Sequence, residues 1–150
     1  MTFPHLSRQY HLSENIQHAR QFGSPIVSLE SAVITHGLPY PENRATALAM
    51  ENVVRNNGAA PATIALVKGK IHIGLTQEEL EILASDNDTR KISLRDIGLA
   101  LASGLSGGTT VAATLFFAGQ AGIRVFATGG IGGVHRNAPF DVSADLPQLG

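Results

Sequence analysis

The chain has 150 residues, of which 43% are hydrophobic and 15% charged, with a formal net charge of −1 and no cysteine. That balance suffices for a globular core and argues against disorder; it supplies no basic run for nucleic acid, no disulfide framework and no thiolate metal site. A polar start and an apolar run that extends only over Thr109–Gly119 predict neither a signal peptide nor a membrane span, and so a soluble, cytoplasmic protein.

Pro25–Ser31 (PIVSLES) reads as a buried strand, and Thr35–Asn43, with Pro39 and Pro41, as a loop. Ala45, Leu48, Ala49 and Val53 recur at helical spacing ahead of Asn57-Gly58, which predicts a helix with a left-handed end. Thr63–Leu75 (TIALVKGKIHIGL) predicts a hairpin turning around Lys68-Gly69-Lys70. Thr76 with Glu79, and Ser93 with Asp96, have the spacing of capping boxes; each predicts a helix, the second ending at Gly104. Gly107-Gly108 then precede a helix over about Thr110–Ala118, and a turn near Gly122 leads into a strand over Arg124–Thr128. Strands alternating with helices predict an α/β fold, a layered sheet with helices on its faces. No linker or internal repeat is visible, so residues 1–150 form one domain or part of one.

Ligands in such sheets collect beyond the carboxyl ends of strands, which would let Glu30 and the Gly129–Gly133 loop share one mouth. A carboxyl ending an apolar strand has its pKa raised toward a value useful in acid/base chemistry, although Glu30 has Arg44 as an alternative partner. His36 and Tyr40 are further candidates for the same mouth. Gly107-Gly108 before a helix suit either a phosphate on the unpaired amides near Thr110 and Val111 or simply a tight turn. The spacing Gly129, Gly130, Gly132, Gly133 does not match a dinucleotide fingerprint, so a nicotinamide-dependent oxidoreductase is disfavoured. His135 and Arg136 provide a proton-transfer or metal-binding group and an anion fork, or decorate the surface. Asp141 and Asp145 offer the oxygen ligands that hard divalent ions take, or lie on a solvated face. Lys91, one of three lysines in the chain, either sets its ammonium over an anion or is an exposed strand-edge residue.

The segments VSLESAVITHGLPYPEN, ATIALVKGKIHIGLT, GGTTVAAT and FATGGIGGVHR…FDVSADL, in this order, resemble the pseudouridine-5′-phosphate glycosidase family over nearly the whole chain. The resemblance implies an α/β fold assembled as a homotrimer, one bound manganese ion, and reversible cleavage of the carbon–carbon glycosidic bond of pseudouridine 5′-phosphate to uracil and ribose 5-phosphate. It implies Glu30 as the general acid/base and Lys91, Val111 through its backbone amide, Ser143, Ala144 and Asp145 as substrate contacts. It further implies Asp141 as the manganese ligand, with His135 a neighbouring contact. Two departures accompany it. Family members carry a residue or two more between His135-Arg136 and Phe140-Asp141, and they run to roughly twice this length, so the chain reads as the N-terminal half of a single domain.

The lysine that forms a Schiff base in the family falls beyond the position of Gly150. Chemistry requires such an amine: a carbon–carbon glycosidic bond has no leaving-group oxygen to protonate, whereas an amine added to the anomeric carbon opens a covalent route through a Schiff base. The isolated chain is therefore expected to turn over little, and a non-catalytic phosphate or sugar-phosphate binding module is the alternative.

Overall fold

The computed structural model describes residues 7–136 and 140–149. Asn137, Ala138 and Pro139, in the shortened loop before Asp141, lie outside the described residues, as does Gly150.

Strand β3 (Ala60–Val67) is the spine. It turns at Lys68-Gly69, both at positive φ, into antiparallel β4 (Lys70–Ile73), so the expected hairpin forms with a two-residue turn and Lys70 already in the strand. Beyond β4 lies β1 (Tyr10–Leu12), parallel to it. The other edge of β3 is shared by two strands in succession. Its first half pairs in parallel with β2 (Ile26–Leu29) through Ala60–Thr63, and its second half pairs antiparallel with β6 (Gly107–Thr109) at Ala65 and Leu66. Parallel β5 (Arg90–Ile92) flanks β6, and β7 (Val125–Ala127) flanks β2.

Because β3 alternates, Ala62, Ile64 and Leu66 face one layer, formed by α1 (Glu14–Phe22), α4 (Ile97–Ala102) and α5 (Val111–Gln120). On the opposite face Thr63 meets α2 (Glu42–Asn56), which packs with α3 (Gln77–Ser85) around Ile34, Ala47, Leu80 and Ala84. The α/β layering with helices on both faces is thus present. Helix α5 is apolar nearly all round and correspondingly buried, with Phe117 at its centre. No helix among the described residues is long and apolar enough to cross a membrane.

Several local expectations are corrected. Residues 35–43 are not a continuous loop: Val33–Gly37 form a π-helical turn, and α2 already begins at Glu42. Within α2 the buried positions are Asn43, Ala47 and Glu51, while Ala45, Ala49 and Val53 face out. Polar groups turn inward there because each has a partner. Asn43 Nδ2 donates to the carbonyls of Ile34 (2.7 Å) and Ala84 (2.8 Å), and Glu51 accepts from Thr63 Oγ1 and Arg55 Nη2, each at 2.6 Å. The Thr76–Glu79 capping box forms as read. The Ser93–Asp96 box forms as well, Asp96 Oδ2 accepting from the Ser93 N–H (2.9 Å) and also from its hydroxyl (2.6 Å), but it opens a 3₁₀ turn over Leu94–Asp96 ahead of α4.

Candidate functional site

Gly107-Gly108 are not a tight turn; they are strand β6. The absent side chains explain why. A Cβ on Gly107 would lie 2.2 Å from the Arg90 carbonyl oxygen, and one on Gly108 2.3 Å from Thr35 Oγ1 and 2.6 Å from the Ser31 carbonyl oxygen. Close approach of backbone, rather than a special dihedral, therefore requires glycine at both positions. It lets the turn after β2 press against β6.

Between the last residue that β3 pairs with β2 and the first it pairs with β6 stands Ile64, whose carbonyl is satisfied by side chains. Ser31 Oγ donates to it at 2.5 Å and Thr109 Oγ1 at 2.7 Å. The Thr109 N–H in turn donates to Ser31 Oγ (2.8 Å), and Thr109 Oγ1 lies 2.8 Å from Thr114 Oγ1. All three hydroxyl residues are fully buried. This network fixes the carboxyl end of β2, and with it Glu30, against the start of α5.

The pairing of Leu29 with Ala127 brings the next residues, Glu30 and Thr128, side by side, and Thr128 Oγ1 hydrogen-bonds Glu30 Oε1. A cavity of about 370 Å³ opens here, lined among others by Glu30, Lys91, Val111, Ser143, Ala144 and Asp145. Six of the eight residues proposed from sequence thus share one cavity. Its opposite walls are tied together by Asp145, whose Oδ1 accepts from the Ala112 N–H (2.9 Å) and Oδ2 from the Gly132 N–H (3.0 Å). Thr110 Oγ1 caps the Ala113 N–H. The N–H of Val111 has no hydrogen-bond partner among the described residues, so of the amides opening α5 it is the one left for a ligand. Partial burial raises the Glu30 pKa above the ordinary carboxyl range; the Thr128 hydrogen bond opposes this, the Asp145 charge adds to it, and Lys91 opposes it. The cavity can therefore hold an anion and hand a proton to, or take one from, whatever is bound beside it.

His135 and Asp141 do not line the cavity. They pair with each other, His135 Nδ1 lying 2.5 Å from Asp141 Oδ2, on a short antiparallel bridge between Val134 and Val142, and both are exposed. No group of three or more His, Cys, Asp or Glu side chains able to hold a metal gathers among the described residues. Asp141 still suits a hydrated divalent ion bound through one carboxylate, whereas both Asp145 oxygens are committed to backbone donors. Arg44 pairs with Glu81, not with Glu30, and Tyr40 OH donates to Glu81 Oε1 at 3.1 Å, which removes both from the mouth. His36 is exposed and pairs with Thr35 Oγ1 through Nδ1 at 2.7 Å. Thr128 and Ser93 went unread as site residues. The only sequence signal for Thr128 is its place at the end of a strand, which its pairing with β2 converts into a neighbour of Glu30.

A carboxyl, an ammonium and a free helix amide around one crevice at the carboxyl ends of parallel strands define an α/β protein with a site for a small anionic ligand. The chain belongs to the indigoidine synthase A like protein family, whose model matches residues 15–150. It is similar to pseudouridine-5′-phosphate glycosidases from Herpetosiphon aurantiacus (57% identity over 141 residues, 93% of this chain and 46% of the relative) and Caldanaerobacter subterraneus subsp. tengcongensis (53% over 146 residues, 96% and 48%). Among solved structures it is similar to the prealnumycin C-glycosynthase AlnA in complex with ribulose 5-phosphate (TM-score 0.84, 45% identity, 95% of this chain and 47% of that one). An indigoidine synthase A-like protein from Thermotoga maritima superposes with a TM-score of 0.82 at 34% identity, over 99% of this chain and 49% of its own. The chain spans about half the length of the relatives it matches.

Proposed function

We propose that the cavity is the sugar-phosphate site of a pseudouridine-5′-phosphate glycosidase and that this chain forms the N-terminal half of that enzyme's single domain. The observation that carries the reading is the single cavity shared by Glu30, Lys91, Val111 and Ser143–Asp145. The names of the similar glycosidases and the ribulose 5-phosphate in AlnA support a phosphorylated pentose as its occupant. Lys91 and the Val111 amide bind the anionic part of the substrate, and Ser143 to Asp145 form the wall against which the sugar lies. When the glycosidic carbon–carbon bond breaks, its electron pair leaves with the uracil ring carbon, which must take up a proton. Glu30, kept toward its protonated form by burial, supplies that proton and removes it in the reverse direction. The sugar carbon is left short of an electron pair, which an amine bonded to the anomeric carbon supplies from its lone pair as it becomes an iminium; Lys91 is the one lysine lining the cavity among the described residues and serves the anion.

A manganese ion, when bound, supplies positive charge that neutralises the phosphate. Asp141 would hold it, with His135 fixing the carboxylate through Oδ2. A homotrimer and a cytoplasmic location belong to the same proposal. Calorimetric titration with ribose 5-phosphate and a fusion to the complementary half of the Herpetosiphon relative test it. The chain alone binds ribose 5-phosphate and releases no uracil from pseudouridine 5′-phosphate, Lys91→Ala weakens binding about tenfold or more, and the fusion turns over pseudouridine 5′-phosphate unless it carries Glu30→Gln. Binding in the chain with no turnover in the fusion would favour a sugar-phosphate binding module, and absence of binding defeats both readings.

A further inference from the structure

We propose that Thr128 is a positioning residue whose hydroxyl turns between Glu30 and the Gly130 carbonyl, relaying the protonation state of Glu30 into the glycine loop that lines the cavity. The inference rests on the acid/base reading of Glu30 given above. A threonine hydroxyl has one hydrogen and two lone pairs. One lone pair is taken by the Gly130 N–H, at 3.1 Å, and two acceptors compete for the hydrogen: Glu30 Oε1 and the Gly130 carbonyl oxygen, the latter at 2.8 Å.

With Glu30 ionised, Thr128 donates to the carboxylate, and the exposed Gly130 carbonyl is left to solvent. With Glu30 protonated, its O–H donates to the second Thr128 lone pair, and the Thr128 hydrogen swings to the Gly130 carbonyl. Every donor finds an acceptor in both states, so a proton arriving at Glu30 is matched by a hydrogen bond gained two residues along the loop. Gly130 and Gly132 line the same cavity as Glu30. At Gly130 a Cβ would meet nothing within 4 Å, so glycine there leaves open backbone beside the ligand rather than filling a packing need. The charged groups that face Glu30 are Lys91 from β5 and Asp145 from the segment after Asp141; neither reaches the Gly130 carbonyl by a hydrogen bond, which leaves Thr128 as the link.

The test is NMR titration of the isotope-labelled full chain, following the Glu30 carboxyl carbon and the Gly130 amide together. In the wild type and in Thr128→Ser the Gly130 signal moves with the Glu30 midpoint. In Thr128→Val, or in Thr128→Ala if the larger side chain disturbs β7, the Gly130 response is lost. The Glu30 midpoint then rises by roughly one pH unit, because an ionised acceptor loses more than a neutral donor does. A Gly130 amide that still follows Glu30 without the hydroxyl, or that ignores Glu30 in the wild type, overturns the proposal. Turnover of the fused protein carrying Glu30→Gln tests the acid/base role separately, so a failed relay and a failed catalytic reading give different results.

Discussion

Replacing Thr109 by valine removes one oxygen and keeps the side-chain shape, which isolates the hydroxyl network behind the cavity. The hydrogen bond from Thr109 to the Ile64 carbonyl is lost, but that carbonyl keeps the Ser31 hydroxyl; this costs about 1 kcal/mol. Thr114 loses its partner inside a fully buried site, and an unsatisfied buried hydroxyl adds about 1–3 kcal/mol. Thr109→Val should therefore destabilise the chain by about 2–4 kcal/mol, read as a lower urea midpoint at unchanged slope. The decisive measurement is the double variant Thr109→Val/Thr114→Val. With both oxygens gone nothing is orphaned, so it should be less destabilised than the sum of the two single variants by about 1 kcal/mol or more. Strict additivity, or a Thr109→Val variant within about 0.5 kcal/mol of the parent, would refute the reasoning.

Gly132→Ala sets a Cβ 2.1 Å from Ser143 Oγ and 3.0 Å from Asp145 Oδ2; it should weaken ribose 5-phosphate binding at least about tenfold in calorimetry, while circular dichroism stays that of the parent. Burial holds the His72 pKa below its ordinary value even though Nδ1 lies 2.9 Å from Glu79 Oε1. Between the folded and ordinary values the unfolded chain binds more protons, so stability falls as the pH drops through that window. His72→Gln should flatten this acid limb in denaturant titrations. Glu30 has the opposite sign. Its raised pKa makes the folded state the better proton binder, so its contribution is present at low pH and lost as pH rises through the folded value. Glu30→Gln should thus gain stability relative to the parent toward neutral pH, measured as a shift in the urea midpoint.

Features fixed by short-range chemistry were legible in the sequence: the Lys68-Gly69 turn, the Thr76–Glu79 capping box, and the strands that lead into Glu30 and Thr128. The inward face of α2 was not, because small apolar residues at Ala45, Ala49 and Val53 mimic a core stripe while the true inward side carries Asn43 and Glu51. Their partners, at Ile34, Ala84 and Thr63, are set by the tertiary fold. Strand β6 was missed for a related reason. Gly107 and Gly108 have poor intrinsic strand preference, and only the crowding by Arg90 and Ser31 makes an extended glycine segment the fitting solution there. The rule that ligands collect beyond strand carboxyl ends placed Glu30 and the Gly129–Gly133 loop at one mouth, as found, but the addition of Lys91, Val111 and Ser143–Asp145 came from resemblance, since no local pattern marks them as neighbours. The outlying position of Asp141 and His135 had no such guide.

The crevice exists because β3 changes neighbours partway along its length, and that discontinuity has an evolutionary price. An ordinary sheet edge tolerates drift, since main chain answers main chain whatever the side chains are. At Ile64 the answer comes from the hydroxyls of two residues, 31 and 109, drawn from distant parts of the chain. Losing both would strand that carbonyl, so while one of the two drifts the other is held; only residue 114, whose hydroxyl leans on that of Thr109, can follow position 109 to an aliphatic identity without leaving a buried polar group alone.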